Sequence, residues 1–159
     1  MNIEHASAAD LAQVSTWLTN ATDCRTWAGP VVSFPIDSAR LASDIMYCWD
    51  NSYCLKTAAD MAGFGQLIKI NDDCYHLVRI ITNPSCRGQG VARKLCESLL
   101  KIAWQHGGSQ VSLNVYRTNT RALTLYQHLG FREQADQSDD TIIYMLKVNE
   151  EIKMDQTQS

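Results

Sequence analysis

Between Ile80 and His106 the chain reads IITNPSCRGQGVARKLCESLLKIAWQH, and this is where its residue types could do chemistry. A β-branched run, Ile80-Ile81-Thr82, stops at Asn83-Pro84, because proline cannot extend a ladder and restricts the residue before it. Arg87-Gly88-Gln89-Gly90-Val91-Ala92 follows as a glycine-punctuated turn. Beyond it Val91, Leu95, Leu99 and Ile102 recur at helical spacing. Strand, glycine loop and helix, in that order, aim backbone N–H groups and the positive end of a helix dipole at one anion. Gly88 and Gly90 allow the backbone to approach a phosphate, and Arg87 can add a guanidinium. No Gly-Lys-Ser/Thr follows, so this is not a Walker loop, and a third glycine for the dinucleotide fingerprint is missing. On spacing alone, a tight turn that binds nothing stays open beside a phosphate site.

Two further side chains lie on the strand before the loop. Tyr75 to Thr82 contains no acid, but it holds His76, which titrates near neutrality, and Arg79. His76 reads as either a structural residue or part of an acceptor site. A buried guanidinium must be paired, because an isolated buried charge is very costly. A carboxylate of the fold is the expected partner of Arg79, and a substrate carboxylate the sharper alternative. Arg79 shares a strand face with Tyr75 and Leu77 unless a β-bulge breaks the alternation. Cys86 lies beside the loop with nothing to activate it except a nearby helix start.

Arg87-x-x-Gly90-x-Ala92 resembles the acyl-CoA pyrophosphate loop of the GNAT superfamily of N-acetyltransferases. Asn119-Thr120-Arg121-Ala122, then Leu125-Tyr126 and Gly130-Phe131, is similar to that family's second signature. The likeness is close from Met61 to Phe131 and rests on element order before that. It implies an α/β fold of the α+β type: a mixed, mostly antiparallel sheet of about 6–7 strands flanked by about four helices, splayed where the acyl donor binds. It also implies acetyl-CoA as cosubstrate. Ile80, Ile81 and Thr82 would hold the pantetheine. Arg87, Gly88, Gln89, Gly90, Val91, Ala92 and Arg93 would hold the pyrophosphate, with Asn119 and Ala122 in contact from the later helix. Tyr126 stands where the family has a tyrosine near the thioester sulfur, so it is expected to bind the cosubstrate and act as general acid; packing is its alternative role. Trp27, His76, Arg79, Asn114 and Tyr116 are the acceptor-site candidates.

The elements that must position these residues are readable in turn. Asn2 to His5 is a short strand, and Ser7 to Asp10 enters a helix running to about Thr19. Asn20 to Pro35 reads as a loop pinned by Trp27 and Phe34, which also allows it to wall a cleft. A second helix is expected from Asp37 or Ser38 to about Trp49. Strands follow over Tyr53–Ala58, Met61–Ile70 and Cys74–Thr82, where Gly63 and Gly65 demand a close neighbour. Gly107-Gly108 stops the long helix. Ser109 to Tyr116 alternates, with Val111, Leu113 and Val115 on one face and Ser112, Asn114 and Tyr116 on the other. A helix from Asn119 to Gly130, a strand from Phe131, a polar turn and a strand over Thr141–Val148 complete one domain, 1–148, with a frayed polar tail over 149–159.

Composition narrows the function classes. Of 159 residues 45% are hydrophobic and 19% charged, as in a soluble globular domain. The net charge of −3 argues against general nucleic-acid binding, which needs a basic face. No apolar run approaches membrane-spanning length and no signal core opens the chain, so a cytoplasmic protein is expected. The six cysteines form no C-x-x-C pair and read as reduced packing residues; no metal is implied. The function expected is transfer of acetyl from acetyl-CoA to a primary amine by direct attack in a ternary complex. The acceptor is expected to be a small-molecule amine, with a protein N-terminus or lysine as the alternative. A non-catalytic acyl-CoA binding or sensing module is the alternative of another class. A homodimer is compatible with all three.

Overall fold

In the computed structural model, which describes residues 1–151, the first helix opens on a reciprocal cap. Asp10 N–H donates to Ser7 Oγ at 3.2 Å while Ser7 N–H donates to Asp10 Oδ2 at 2.8 Å, so two orphan donors are satisfied at once. The helices are α1 (Ala8–Thr16), α2 (Ala21–Ala28), α3 (Leu41–Asp44), α4 (Val91–Gln105) and α5 (Thr120–His128). The strands are β1 (Asn2–His5), β2 (Ser52–Lys56), β3 (Met61–Lys69), β4 (Cys74–Thr82), β5 (Gln110–Tyr116), β6 (Arg132–Glu133) and β7 (Ile142–Val148). They form one seven-stranded mixed sheet in the order β1-β2-β3-β4-β5-β7-β6. β4 and β5 pair in parallel, and β5–β7 and β6–β7 are antiparallel, as are β1–β2 and β2–β3.

The chain divides into two compact units. The first takes Met1–Leu67 and Val78–Cys96. Its core is Leu11, Val14, Trp17, Trp27, Leu41, Ile45 and Phe64, all buried. Gly63 is the close approach that strand β3 requires. A Cβ there would lie 3.2 Å from Ile81 O and from Leu95 Cδ2, so β3 passes under α4 and against β4 with no room for a side chain. Asn83 fixes the exit from β4. Its N–H donates to Ala62 O at 2.8 Å, its Nδ2 to Met61 O at 3.0 Å, and its Oδ1 accepts from Ser85 N–H at 3.0 Å.

The second unit takes Ile68–Leu77 and, among the described residues, the chain from Glu97 on. Here the buried side chains include Leu99, Leu100, Ala103, Val111, Leu113, Val115, Phe131, Ile143 and Met145. The alternation along β5 is as read, except that Ser112, on the polar face, is 2% exposed. The β4–β5 ladder runs from Cys74↔Gln110 to His76↔Ser112. Gly107, at φ +89°, ends α4, and Gly108 N–H closes back on Ala103 O at 2.9 Å.

Four expectations are corrected. The loop over Asn20–Pro35 contains helix α2, because Asn20 Oδ1 caps Asp23 N–H at 2.8 Å and Cys24, Trp27 and Ala28 give it a buried face. Phe34 is not a buried pin, being 40% exposed. The helix expected to reach Trp49 is a single turn, since Met46 takes φ 53° and the chain turns on Asn51, whose Oδ1 accepts from Cys48 N–H. Asn149, assigned to the tail, is buried and donates its N–H to Ser109 O at 2.8 Å. From 152 on, the expected tail lies outside the described residues.

Candidate active site

The first unit carries the glycine loop. Gly88 and Gly90 adopt φ +80° and +72°, which a side chain would strain, and a Cβ at either would meet nothing within 4 Å. Their conformation is demanded by the turn, and the space in front of them is open. Lys94 N–H donates to Gly90 O at 3.1 Å, so Gly90 is the last residue before α4 and the amides of Val91, Ala92 and Arg93 begin the helix. The N–H groups of a helix's first turn point out of its N-terminal end. Arg87, Gln89 and Arg93 are exposed around this end, Ala92 is half-buried and Val91 is buried. The residues present fit a pyrophosphate. Ile80, Ile81 and Thr82, all half-buried, end β4 in the same unit.

Arg79 departs from expectation in two respects. Its φ is 55°, a left-handed residue within a strand, and this breaks the alternation that an ideal ladder would impose. Its guanidinium meets no carboxylate among the described residues. Nη1 donates instead to Gln66 Oε1 at 2.7 Å, and Nε is buried without a partner. Burial pulls its pKa below the ordinary arginine value. Trp27, 8% exposed, donates its indole N–H to Arg79 O at 2.9 Å, so α2 holds the bend in β4.

The second unit carries the remaining candidates. His76 Nδ1 lies 2.8 Å from Ser112 Oγ, a cross-strand pair at the last register position of the β4–β5 ladder. Asn114 is exposed and Tyr116 half-buried on β5. Asn119 is the cap of α5, its Oδ1 accepting from Ala122 N–H at 3.3 Å, so its side chain works on the helix itself. Tyr126 is half-buried on α5, with its ring edge-on to Phe131 at 5.9 Å between centroids. Phe131 N–H donates to Tyr126 O at 3.0 Å, and Gly130 takes φ +97°, so the Gly-Phe pair both ends the helix and seats the tyrosine.

Sequence reasoning missed Gln66 and Asn83. Gln66 is 0% exposed, yet nothing separates it in sequence from a strand residue facing water. Asn83 had a usable signal, since asparagine before proline at a strand end is a turn former.

Residues 19–131 match the family described as Acetyltransferase (GNAT) family, well over half of the chain. The chain belongs to that family. A 58-residue segment is 36% identical to thialysine N-epsilon-acetyltransferase of Bos taurus, and the same holds for the Sus scrofa protein. The matched segment is 36% of this chain and 34% of that protein, so the chain spans about a third of the length of the curated relatives it matches. Among solved structures, spermidine N-acetyltransferase from Vibrio cholerae, in complex with CoA and spermine, is similar at a TM-score of 0.76 and 19% identity, over 94% of this chain and 95% of that one. Ribosomal-protein-S18-alanine N-acetyltransferase from Escherichia coli is similar at a TM-score of 0.69 and 22% identity, over 92% of both. At these identities the likeness to solved structures is one of fold.

Proposed function

We propose that the chain transfers acetyl from acetyl-CoA to a small-molecule primary amine by direct attack in a ternary complex. The observation that carries the reading is the open glycine turn at the start of α4, with two positive-φ glycines, in a chain whose fold is similar to several solved structures in complex with CoA. Acetyl-CoA supplies an electrophilic thioester carbonyl and a thiolate leaving group. Arg87 and the amides from Gly88 to Arg93 hold the pyrophosphate, and Ile80 to Thr82 offer strand backbone to the pantetheine. Asn119 and Ala122 keep the first turn of α5 in place. Tyr126 is the general acid. The amine nitrogen adds to the thioester carbonyl. As the tetrahedral intermediate collapses the C–S bond breaks and the phenol proton goes to the leaving sulfur, whose conjugate acid has a pKa of roughly 8.5, and the phenolate is reprotonated from solvent. The amine must shed its own proton. At pKa ~10.4 only about one alkylamine in a few thousand is free base at neutral pH, and since β4 offers no carboxylate to take the proton, it passes to solvent water.

A small amine is favoured over a protein amine because the matched curated relatives are named for a small amino acid substrate. We place the activity in the cytoplasm, a compartment that suits a chain with four buried thiols, Cys24, Cys54, Cys74 and Cys96. No helix among the described residues is long and apolar enough to cross a membrane. The test is an amine and peptide panel with free-thiol detection. Thiol released in step with an acetylated small amine supports the reading. Turnover confined to peptides would make the acceptor a protein, and tight acetyl-CoA binding with no transfer would make the chain a binding module.

A further inference from the structure

Gln66 and Arg79 form an arrangement that neither the cosubstrate nor the transfer step uses. Gln66 is wholly buried, and its amide nitrogen donates to Ile45 O and to Ser52 Oγ, each at 3.1 Å. Those bonds fix which way the amide faces, and its oxygen is thereby presented to Arg79 Nη1 at 2.7 Å. A neutral oxygen positions the guanidinium without cancelling its charge. Arginine stays protonated in proteins, so a half-buried cation persists with no carboxylate beside it among the described residues. One of its five donors is spent on Gln66, and Nε is buried with nothing to bond. The backbone carries a cost as well. A non-glycine residue at φ 55° is strained by about 1–3 kcal/mol, and Trp27 holds it there through the carbonyl. Strain, a fixed neutral partner and an unsatisfied donor all converge on one residue, which immediately precedes the Ile80–Thr82 stretch.

Resting on the acetyltransferase reading, we propose that Arg79 anchors a carboxylate of the acceptor, so that the substrates are amines that also bear a carboxylate, such as amino acids. The Nη donors left over by Gln66 are the ones a carboxylate takes, Nε being shut off from solvent, as a charge-assisted fork that a lysine cannot reproduce. An aliphatic diamine or simple alkylamine would leave the cation unpaired and would itself be repelled by it.

The experiment compares ω-amino carboxylates with n-alkylamines of the same chain length, by kcat/KM from thiol release. The parent protein should favour the carboxylates by roughly ten- to a hundredfold, the worth of a hydrogen-bonded charge. Gln66→Glu keeps the arginine but gives it an internal carboxylate, and should bring the ratio close to one. Arg79→Gln should do the same, and Arg79→Lys should recover the preference only in part. Circular dichroism and calorimetric CoA binding establish that each variant is folded and holds its cosubstrate. A parent protein with no preference, or a Gln66→Glu variant that retains it, overturns the proposal. If CoA binds but no amine of either kind is acetylated, the acetyltransferase reading fails by itself. Calorimetry of an ω-amino carboxylate into CoA-loaded protein then decides the anchor: binding that Gln66→Glu abolishes sustains it, and no binding ends it.

Discussion

Tyr126 is set by its neighbours before it meets any substrate. Phe131 lies against its ring, and the Gly130 turn returns the chain to its carbonyl. Removing only the hydroxyl should therefore leave the fold intact. If that hydroxyl protonates the leaving sulfur, Tyr126→Phe lowers kcat by roughly 10²–10⁴ with acetyl-CoA affinity little changed. Rapid-quench kinetics with calorimetry on the same preparation checks both halves. Parent-rate turnover by the Phe variant would return Tyr126 to packing. Arg79 makes the complementary point. Its type and position were legible, but its partner was not, because the strand pattern predicts faces and not a left-handed kink or a buried glutamine opposite.

At the scale of elements, the sequence is informative wherever local chemistry decides the outcome. Cys74–Thr82, the glycine turn and α4 stand where β-branching, proline and helical spacing put them, and Ser7 and Asp10 made α1 readable as a cap. Helix α2 was hidden because its residues, among them Thr22, Cys24, Thr26 and Trp27, have weak helix propensity; one asparagine cap and burial of Trp27 outweigh that. The close approach at Gly63 was visible as a demand, but its object was not. Gly63→Ala should cost about 1–3 kcal/mol in urea unfolding, since its Cβ would press on Ile81 O and Val91 Cγ1 at 3.2 and 3.3 Å. A neutral Gly63→Ala would mean that β3 can move away from α4.

The α1 cap also carries a pH dependence. Burial works to raise the pKa of Asp10, but hydrogen bonds from the Ser7 backbone and hydroxyl, and the Lys56 ammonium at 3.3 Å, outweigh it and lower the value on balance. A carboxyl that binds its proton less readily when folded stabilises the protein above its unfolded pKa of about 3.9 and loses that contribution as pH falls through the lowered value. Asp10→Asn should thus flatten the acid limb of stability measured by urea titration between neutral pH and about pH 3. An unchanged acid limb would assign that limb to other carboxylates.

For the whole molecule, a ligand that binds only the folded chain raises its stability by mass action. Acetyl-CoA at a hundred times its Kd should add about 2.7 kcal/mol, or roughly 5–10 °C in Tm for a chain of this size. Gly90→Val should lose most of that shift, because a β-branched residue at φ +72° must deform the turn. Its unliganded melt should also fall, since strain at that φ costs about 1–3 kcal/mol even though a Cβ there touches nothing, so the measurement is the shift that acetyl-CoA adds to each protein's own melt. A full shift retained by the Val variant would remove the turn from the cosubstrate site.

The indole of Trp27 gives the chain an optical handle. Of the four tryptophans, Trp17 and Trp27 are buried and Trp49 is 59% exposed with its ring stacked on His5, and Trp27 has its N–H tied to the carbonyl of Arg79. Fluorescence from such an indole responds to the charge next to its bonded carbonyl. If an anion fills the arginine as proposed, the emission of the unlabelled protein should shift on binding, so that occupancy can be followed without turnover; an unchanged spectrum at saturation would show that the indole does not sense the site.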